Sequence, residues 1–450
     1  MHLLIIGGSD AGISAALRAR ELDPNVEITV VLADAFPNYS ICGLPFFLSG
    51  ETPDWRNLAH RTEFDGIRLL VNHTAEAINA SAKTIHVRGR ENGSKEMRYD
   101  RLIVATGAAP VRPDLSGIDL PGVHLLHTME DSFAVQRWLS DRSPRSAVIV
   151  GAGYIGLEMA DALTHRGLKV TVIERTATIL PTMDAALGRV LEEELRQHGV
   201  EVMTDRSATR IGHVDDAGGL SVTDSRGRQG MADLVLVALG VRPASELVAA
   251  AGAEFGTRNA VKVTRQMQTN LPDIFAAGDC VETWHRVLGK PVYIPLGTTA
   301  HKQGRVAGEN ALGGNRTFAG SLGTQSVKIF DLVATRTGLL DYEAAAAGFD
   351  PVTIETEAWD HKAYYPGAQR LHIRVTGDRK TGRLLGAQIL GHWRSEVSKR
   401  IDVFATALFH GMSVDALHDL DLSFTPPLSS PWDPVQMAAH TWCIESENRH

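Results

Sequence analysis

Apolar residues in this chain come in short unbroken runs, separated by glycine turns and by stretches with helical spacing. The first case is "LLIIGGSDAGISAALRAR": four apolar residues, a glycine turn, then an amphipathic helix. A second apolar run, "EITVVLAD", follows it. Runs this short, bounded by turn residues and rich in branched side chains, predict strands buried on both faces. The strand–helix–strand order predicts parallel pairing. The same grammar returns in "AVIVGAGYIGLEMADALTHRGLKVTVIER". Two later runs, "RLIVATGAAP" and "LPDIFAAGDC", are strands ending in small residues, and "YIPLGTTAHKQGRVAGENAL" predicts a helix beginning near Thr298 and Thr299. The pattern is that of an α/β protein with two Rossmann-like dinucleotide-binding domains.

The second glycine turn is the stronger. Gly151, Gly153 and Gly156 complete GxGxxG directly after a strand. The first permits the tight turn, the second leaves room for a pyrophosphate, and the third lets helix and strand approach closely. Glu174 ends the next strand, where an acid accepts from ribose hydroxyls and repels a 2′-phosphate. NADH is therefore favoured over NADPH, with the adjacent Arg175 as the opposing feature.

In the first turn Gly7 and Gly12 fit, but Ser9 takes the central glycine position and Asp10 follows it. An acid there repels a pyrophosphate unless it turns to solvent or caps the helix. Asp34 is the corresponding ribose acid. Asp279, beside Gly278 at a strand end, is placed to accept from a polyol hydroxyl. Backbone N–H groups near Thr298 and Thr299 would face the anionic edge of a reduced flavin.

Bulk properties remove other classes. The net charge is −8 without a basic run, which argues against nucleic acid as a partner. No apolar run reaches the length of a membrane span, and "MHLLIIGG" lacks the basic flank of a signal peptide. Three well-separated cysteines predict a reducing, cytoplasmic setting rather than a disulfide framework. His124 and His127 lie three apart without further ligands nearby, so no metal site is expected.

The order of motifs resembles the FAD/NAD(P)H-dependent pyridine nucleotide-disulfide oxidoreductases over essentially the whole chain. The landmarks are the two glycine turns, "ATG", "VALGVRPA", "TNLPDIFAAGDC" and "PLGTTAHKQGRVAGENAL". The resemblance is greatest to the single-cysteine branch, through "SICGLPFFLSGE", "HKAYYPGA" and "LDLSFTPPLSSPWDPVQMA". It implies an FAD domain in two pieces, 1–112 and 243–318, an NAD(P)H domain at 113–242, and a C-terminal α+β domain at 319–450 that forms a homodimer. It also implies cofactor contacts at Thr106, Gly107 and Gly240. Tyr154 would cover the flavin and Glu158 would contact the nicotinamide region.

The two-cysteine branch closes a CxxxxC pair, but here Phe47 stands at the second position. Cys280 is expected to be a small apolar packing residue, and Cys443 an incidental one in a C-terminal tail. Cys42 precedes a Gly-Leu-Pro, which predicts a helix N-terminus that lowers its pKa and favours thiolate. A lone thiolate needs an external partner, as in a mixed disulfide, a persulfide or a sulfenic acid. The usual C-terminal histidine acid of two-cysteine relatives is absent, and Tyr364 and Tyr365 are its candidate replacements. The expected function passes hydride from NAD(P)H through FAD to Cys42, which reduces a disulfide, persulfide or polysulfide. The alternatives are an NADH oxidase or peroxidase working through a Cys42 sulfenic acid, and electron transfer to a small ferredoxin- or rubredoxin-like protein.

Overall fold

The computed structural model describes residues 1–89, 93–214 and 219–447. Its first sheet is parallel throughout, in the order Ile274–Ala276, Arg101–Val104, His2–Ile6, Glu27–Val31, Ile67–Leu70. Alternate side chains of the central strand serve two layers. Leu3 and Ile5 join the core under the helices Asp10–Leu22 and Gly297–Ala311. Leu4 and Ile6 join a core with Ile78, Ile85 and Val87 of a three-stranded antiparallel sheet. A strand covered on both sides has no polar face to alternate, which is why the sequence reads as continuous apolar runs.

The second sheet repeats the plan. Its order is Glu201–Met203, Lys169–Ile173, Ser146–Val150, Leu234–Val237, Val123–Leu125, again all parallel. Another small antiparallel sheet covers one face, through Ile211, Leu220 and Val222. The chain passes between the two units along a pair of antiparallel strands, Ala108–Pro110 and Val241–Pro243. Thr106 Oγ1 donates to the Ala244 carbonyl at 2.6 Å at the same crossing.

The C-terminal unit is a five-stranded antiparallel sheet, Gln325–Ile329, Leu332–Gly338, Leu384–His392, Arg370–Asp378, Pro351–Trp359. The helices Val397–His410 and Pro434–Glu447 pack on it. Cys443 therefore lies in a helix, packed against that core, and not in a tail. Of the segment "MAAHTWCI", Ala438, Ala439 and Trp442 are buried against the sheet, while Met437 and Ile444 stay exposed. Among the described residues, no helix is long and apolar enough to cross a membrane.

One short helix, Leu44–Ser49, ties the units together. It belongs to the first unit in sequence, but its Leu44, Phe47 and Leu48 enter the core of the second, with Leu157 and Leu163. Arg166 Nε donates to the Leu48 carbonyl and pins its end. Cys42 precedes this helix, in the short turn Ile41–Gly43, and so sits where the two dinucleotide folds meet.

Candidate active site

The site begins with small residues. Gly304 and Gly308, one turn apart, let the helix Gly297–Ala311 lie on the helix Asp10–Leu22. A Cβ on Gly304 would stand 2.1 Å from the Ala11 carbonyl oxygen, and one on Gly308 2.3 Å from that of Ala15. This crossing brings the N-termini of both helices to the C-terminal edge of the first sheet. Gly7 (φ +110°) and Gly12 make the first turn, and a Cβ on Gly12 would meet the Gly7 carbonyl at 1.9 Å. Gly278 (φ +87°) turns the chain off its strand with Asp279 next. Gln303, fully buried, accepts from the Gly278 N–H at 2.9 Å and donates to Thr283 Oγ1 at 3.1 Å, fixing that turn to the helix.

Asp279 titrates at about 6, raised by burial and by the nearby Asp10 charge. Asp34 follows the second strand and is also raised by burial, while its Oδ1 accepts from the Phe36 N–H at 2.8 Å. Thr299 is buried, and its N–H donates to the Leu296 carbonyl at 2.9 Å. The expectation of a free amide at Thr299 is thus corrected: the helix starts at Gly297, so the outward-facing donors are those of Gly297 and the exposed Thr298.

The second turn has the same construction. Gly151 (φ +105°) and Gly156 close tightly, with Gly156 2.0 Å by its would-be Cβ from the Gly151 carbonyl oxygen. At Gly153, and at the left-handed Gly107 and Gly240, a Cβ would meet nothing within 4 Å. These three positions face open space, as a bound dinucleotide requires. Glu174 is buried beneath the turn. The helix from Tyr154 to His165 carries Glu158, which burial, with Asp161 adding to it, raises to about 7. Tyr154 receives a long hydrogen bond from Thr182 Oγ1 at 3.4 Å.

Cys42 is exposed on one side, while the protein encloses it on the others. Burial raises its thiol pKa, and the charges of Glu158, Asp10 and Asp279 act in the same direction. This corrects the expectation of a lowered pKa. The amides of one six-residue helix are outweighed by desolvation and three carboxylates. Cys280 is fully buried, its Sγ against the Ala277 and Val104 carbonyls at 3.4 and 3.6 Å.

Asp10 also departs from expectation. It neither caps its helix, whose N-cap is Ser9, nor points to bulk solvent. Its Oδ2 lies 2.8 Å from where a Cβ of Gly297 would be. Gln303 and Tyr293 were missed by sequence reasoning. The Tyr293 hydroxyl is buried with no hydrogen-bond partner among the described residues, and burial together with the Asp279 charge raises its pKa. An orphaned buried hydroxyl fits a ligand that brings its own polar groups.

Tyr364 and Tyr365 sit on the loop between Pro351–Trp359 and Arg370–Asp378, 75% and 43% exposed. Asp360 Oδ1 accepts from the His361 and Gln369 amides at 2.8 and 3.0 Å and so closes this loop at its base. The Lys362 N–H donates to the Pro426 carbonyl at 3.2 Å, tying it to the segment that carries Phe424.

Two glycine turns facing open clefts, with a single thiol between them, define the class. Residues 1–304 match the family described as pyridine nucleotide-disulphide oxidoreductase, and residues 324–434 match its dimerisation domain. The chain belongs to this family; it is an oxidoreductase of the kind that works with FAD and NAD(P)H.

More particular likenesses accompany it. A CoA-dependent NAD(P)H sulfur oxidoreductase of Pyrococcus furiosus is 34% identical over 444 residues, covering 97% of this chain and 98% of its own. A coenzyme A disulfide reductase of Staphylococcus haemolyticus is 30% identical over 446 residues, covering 97% and 98%. The solved structure of an NAD-dependent persulfide reductase from A. fulgidus is 36% identical with a TM-score of 0.95, covering all of this chain and 84% of that one.

Proposed function

We propose that this protein is an NAD(P)H-dependent reductase of sulfur–sulfur bonds, with Cys42 as the single protein thiol that engages the acceptor. The observation carrying this reading is the site of Cys42, exposed on one side at the junction of the two dinucleotide folds. The position of a second cysteine is filled instead by Phe47, which is 6% exposed and built into the core. The names of the Pyrococcus and A. fulgidus relatives favour a persulfide or polysulfide as the acceptor.

FAD would lie along Gly7, Gly12, Asp34, Thr106, Gly107, Gly278, Asp279, Gly297 and Thr298. The nicotinamide nucleotide would lie along Gly151, Gly153, Gly156, Glu174 and Gly240, with Tyr154 and Glu158 at the reacting end. The bound flavin supplies the two-electron step between NAD(P)H and sulfur. The protein's part is to hold the sulfur, the acids and the two nucleotides in register. NADH is the preferred donor on the strength of Glu174.

The functional unit is a homodimer, supported by the match to the dimerisation domain and by exposed rings on the C-terminal unit, Trp393, Phe409 and Trp432 among them. Tyr364 and Tyr365 would then serve across the two-fold axis, which agrees with their exposure in the single chain.

The test is Cys42→Ser with FAD bound. It should keep flavin reduction by NADH and lose polysulfide turnover. Undiminished polysulfide turnover in that variant would defeat the reading. Oxygen or peroxide as the fast acceptor would shift it to an oxidase.

A further inference from the structure

Three polar residues stand in a row across the C-terminal sheet. Arg336, Gln388 and Arg374 are direct cross-strand neighbours on Leu332–Gly338, Leu384–His392 and Arg370–Asp378, so their side chains share one face. Arg336 and Gln388 are buried. All three reach one short segment of the NAD(P)H unit. Arg336 Nη1 donates to the Thr182 carbonyl at 2.7 Å, and Gln388 Oε1 accepts from the Asp184 N–H at 2.7 Å. Arg374 Nη2 lies 3.1 Å from Asp184 Oδ2. Arg336 is itself fixed, its Nη2 donating to Glu343 Oε2 at 2.6 Å and to the Gly338 carbonyl at 2.9 Å. Polar groups are costly inside a sheet unless paired, and here the segment of another unit completes the pairing.

The segment's other end enters the second glycine turn. The Leu180 N–H donates to the Ala152 carbonyl at 2.9 Å. Leu180 is fully buried and left-handed, at φ +49°, a conformation that a bulky side chain holds only where its surroundings enforce it. Between the two anchors, Thr182 Oγ1 donates to the Tyr154 hydroxyl at 3.4 Å. The contacts thus run from Arg336 through Thr182 to Tyr154, the first residue of the helix that leaves the turn.

We propose, resting on the placement of Tyr154 at the reacting end of the nicotinamide nucleotide, that Arg336 and Thr182 are positioning residues for Tyr154. A nicotinamide ring that enters there has to move the tyrosine ring and break its bond to Thr182. The C-terminal sheet, by fixing Thr182, sets what that movement costs. The brace therefore keeps the cleft closed while it is empty and opposes nucleotide binding by one long hydrogen bond.

The test is NAD⁺ affinity, measured by equilibrium dialysis on the oxidised protein with FAD bound, so that it does not depend on turnover or on the acceptor. Thr182→Val removes the hydroxyl and keeps the shape. It should tighten NAD⁺ binding about two- to fivefold, the lower part of what one hydrogen bond contributes, because this one is long. Thr182→Ser, which keeps the hydroxyl, should bind as the native protein does. Arg336→Met should tighten binding in the same direction by freeing Thr182; if it does not fold, because Glu343 loses its partner, Thr182→Val carries the test. In a Tyr154→Phe background the Thr182→Val effect should vanish, since the group it acts on is gone. A merely structural effect of Thr182→Val would persist there.

Unchanged or weaker NAD⁺ binding in Thr182→Val, or an effect that survives Tyr154→Phe, overturns the proposal. The placement it rests on fails separately: Tyr154→Ala with native NAD⁺ affinity would take Tyr154 away from the nicotinamide. An altered affinity in Tyr154→Ala beside an unaltered one in Thr182→Val would sink this inference alone.

Discussion

Glu174 Oε2 accepts a hydrogen bond from the Ala152 N–H at 2.7 Å, inside the second glycine turn. Its other oxygen accepts from the Thr176 N–H and Oγ1, both at 2.8 Å. The acid that would select the nucleotide is therefore also a strut of the turn that binds it. Glu174→Ala should reduce the kcat/KM preference for NADH over NADPH. It should also destabilise the protein by about 1–3 kcal/mol, the cost of leaving a buried hydrogen-bond donor unmet. Steady-state kinetics with both nucleotides and a denaturant melt check the two effects. Unchanged nucleotide preference would remove Glu174 from the specificity argument.

Asp279 is the corresponding test of the flavin site. Its pKa of about 6 reflects burial and Asp10 in the protein alone. A carboxylate that accepts from a polyol hydroxyl makes a charge-assisted bond worth about 1.5–3 kcal/mol. Asp279→Ala should therefore weaken FAD retention roughly ten- to a hundredfold, read as flavin released on gel filtration. Full retention would count against the placement.

Phe47 tests the division between chemistry and packing. Its ring meets Phe133 edge-on at 6.2 Å, and its neighbours Leu44 and Leu48 are buried with it. Phe47→Ala should cost about 3–5 kcal/mol, as large-to-small changes in a core do. Because the helix Leu44–Ser49 follows Cys42 directly, acceptor turnover should fall more than flavin reduction by NADH. Phe47→Leu should be much milder on both counts.

The parts of the fold legible in sequence are those set by local physics. Continuous apolar strands and glycine turns are dictated by burial on two faces and by close backbone approach, and both appear as short-range patterns. What stayed illegible depends on pairs distant in the chain. Asp10 reads as a misplaced acid until Gly297, Gly304 and Gly308 are seen to shape the opposing helix. Gln303 reads as an ordinary helix residue until it is found buried against Gly278. The thiol of Cys42 was misjudged for the same reason: the short helix after it is visible in sequence, but the carboxylates of Glu158, Asp10 and Asp279 around it are not.

Glu158 gives a prediction in pH. Its folded pKa is raised to about 7 from an ordinary 4.5. Between those values the folded protein holds a proton that the unfolded chain has lost, so this group's contribution to stability falls as pH rises through the window. Glu158→Gln removes that loss. Thermal melts should show the variant gaining on the native protein between pH 5 and pH 8, with no gain below about pH 4, where both states are protonated. It should also lower the alkylation midpoint of Cys42, since Glu158 is the largest single charge acting on it. A melt difference independent of pH would mean that Glu158 is not held protonated.

The last prediction concerns the acceptor. The loop of Tyr365 and the segment of Phe424 are held together by the Lys362–Pro426 hydrogen bond, and both rings are exposed, by 43% and 44%. If they meet the partner's Cys42 across the two-fold axis, one hydroxyl and one bare ring face the leaving sulfur. Phenylalanine keeps the packing of tyrosine but cannot donate a proton or a hydrogen bond. Tyr365 then acts alone on that side. A thiolate of ordinary basicity, such as that of coenzyme A, needs protonation to leave; a polysulfide chain leaves as a weaker base and needs less. The native protein should therefore reduce polysulfide faster than coenzyme A disulfide. Phe424→Tyr should raise coenzyme A disulfide turnover by at least about tenfold, near the lower end of what one acid–base group contributes. It should change polysulfide turnover little and leave flavin reduction by NADH as it was. Tyr365→Phe should depress both acceptors. Fast reduction of coenzyme A disulfide by the native protein would show that the missing hydroxyl is not what limits it, and an unresponsive Phe424→Tyr would place that ring outside the acceptor site.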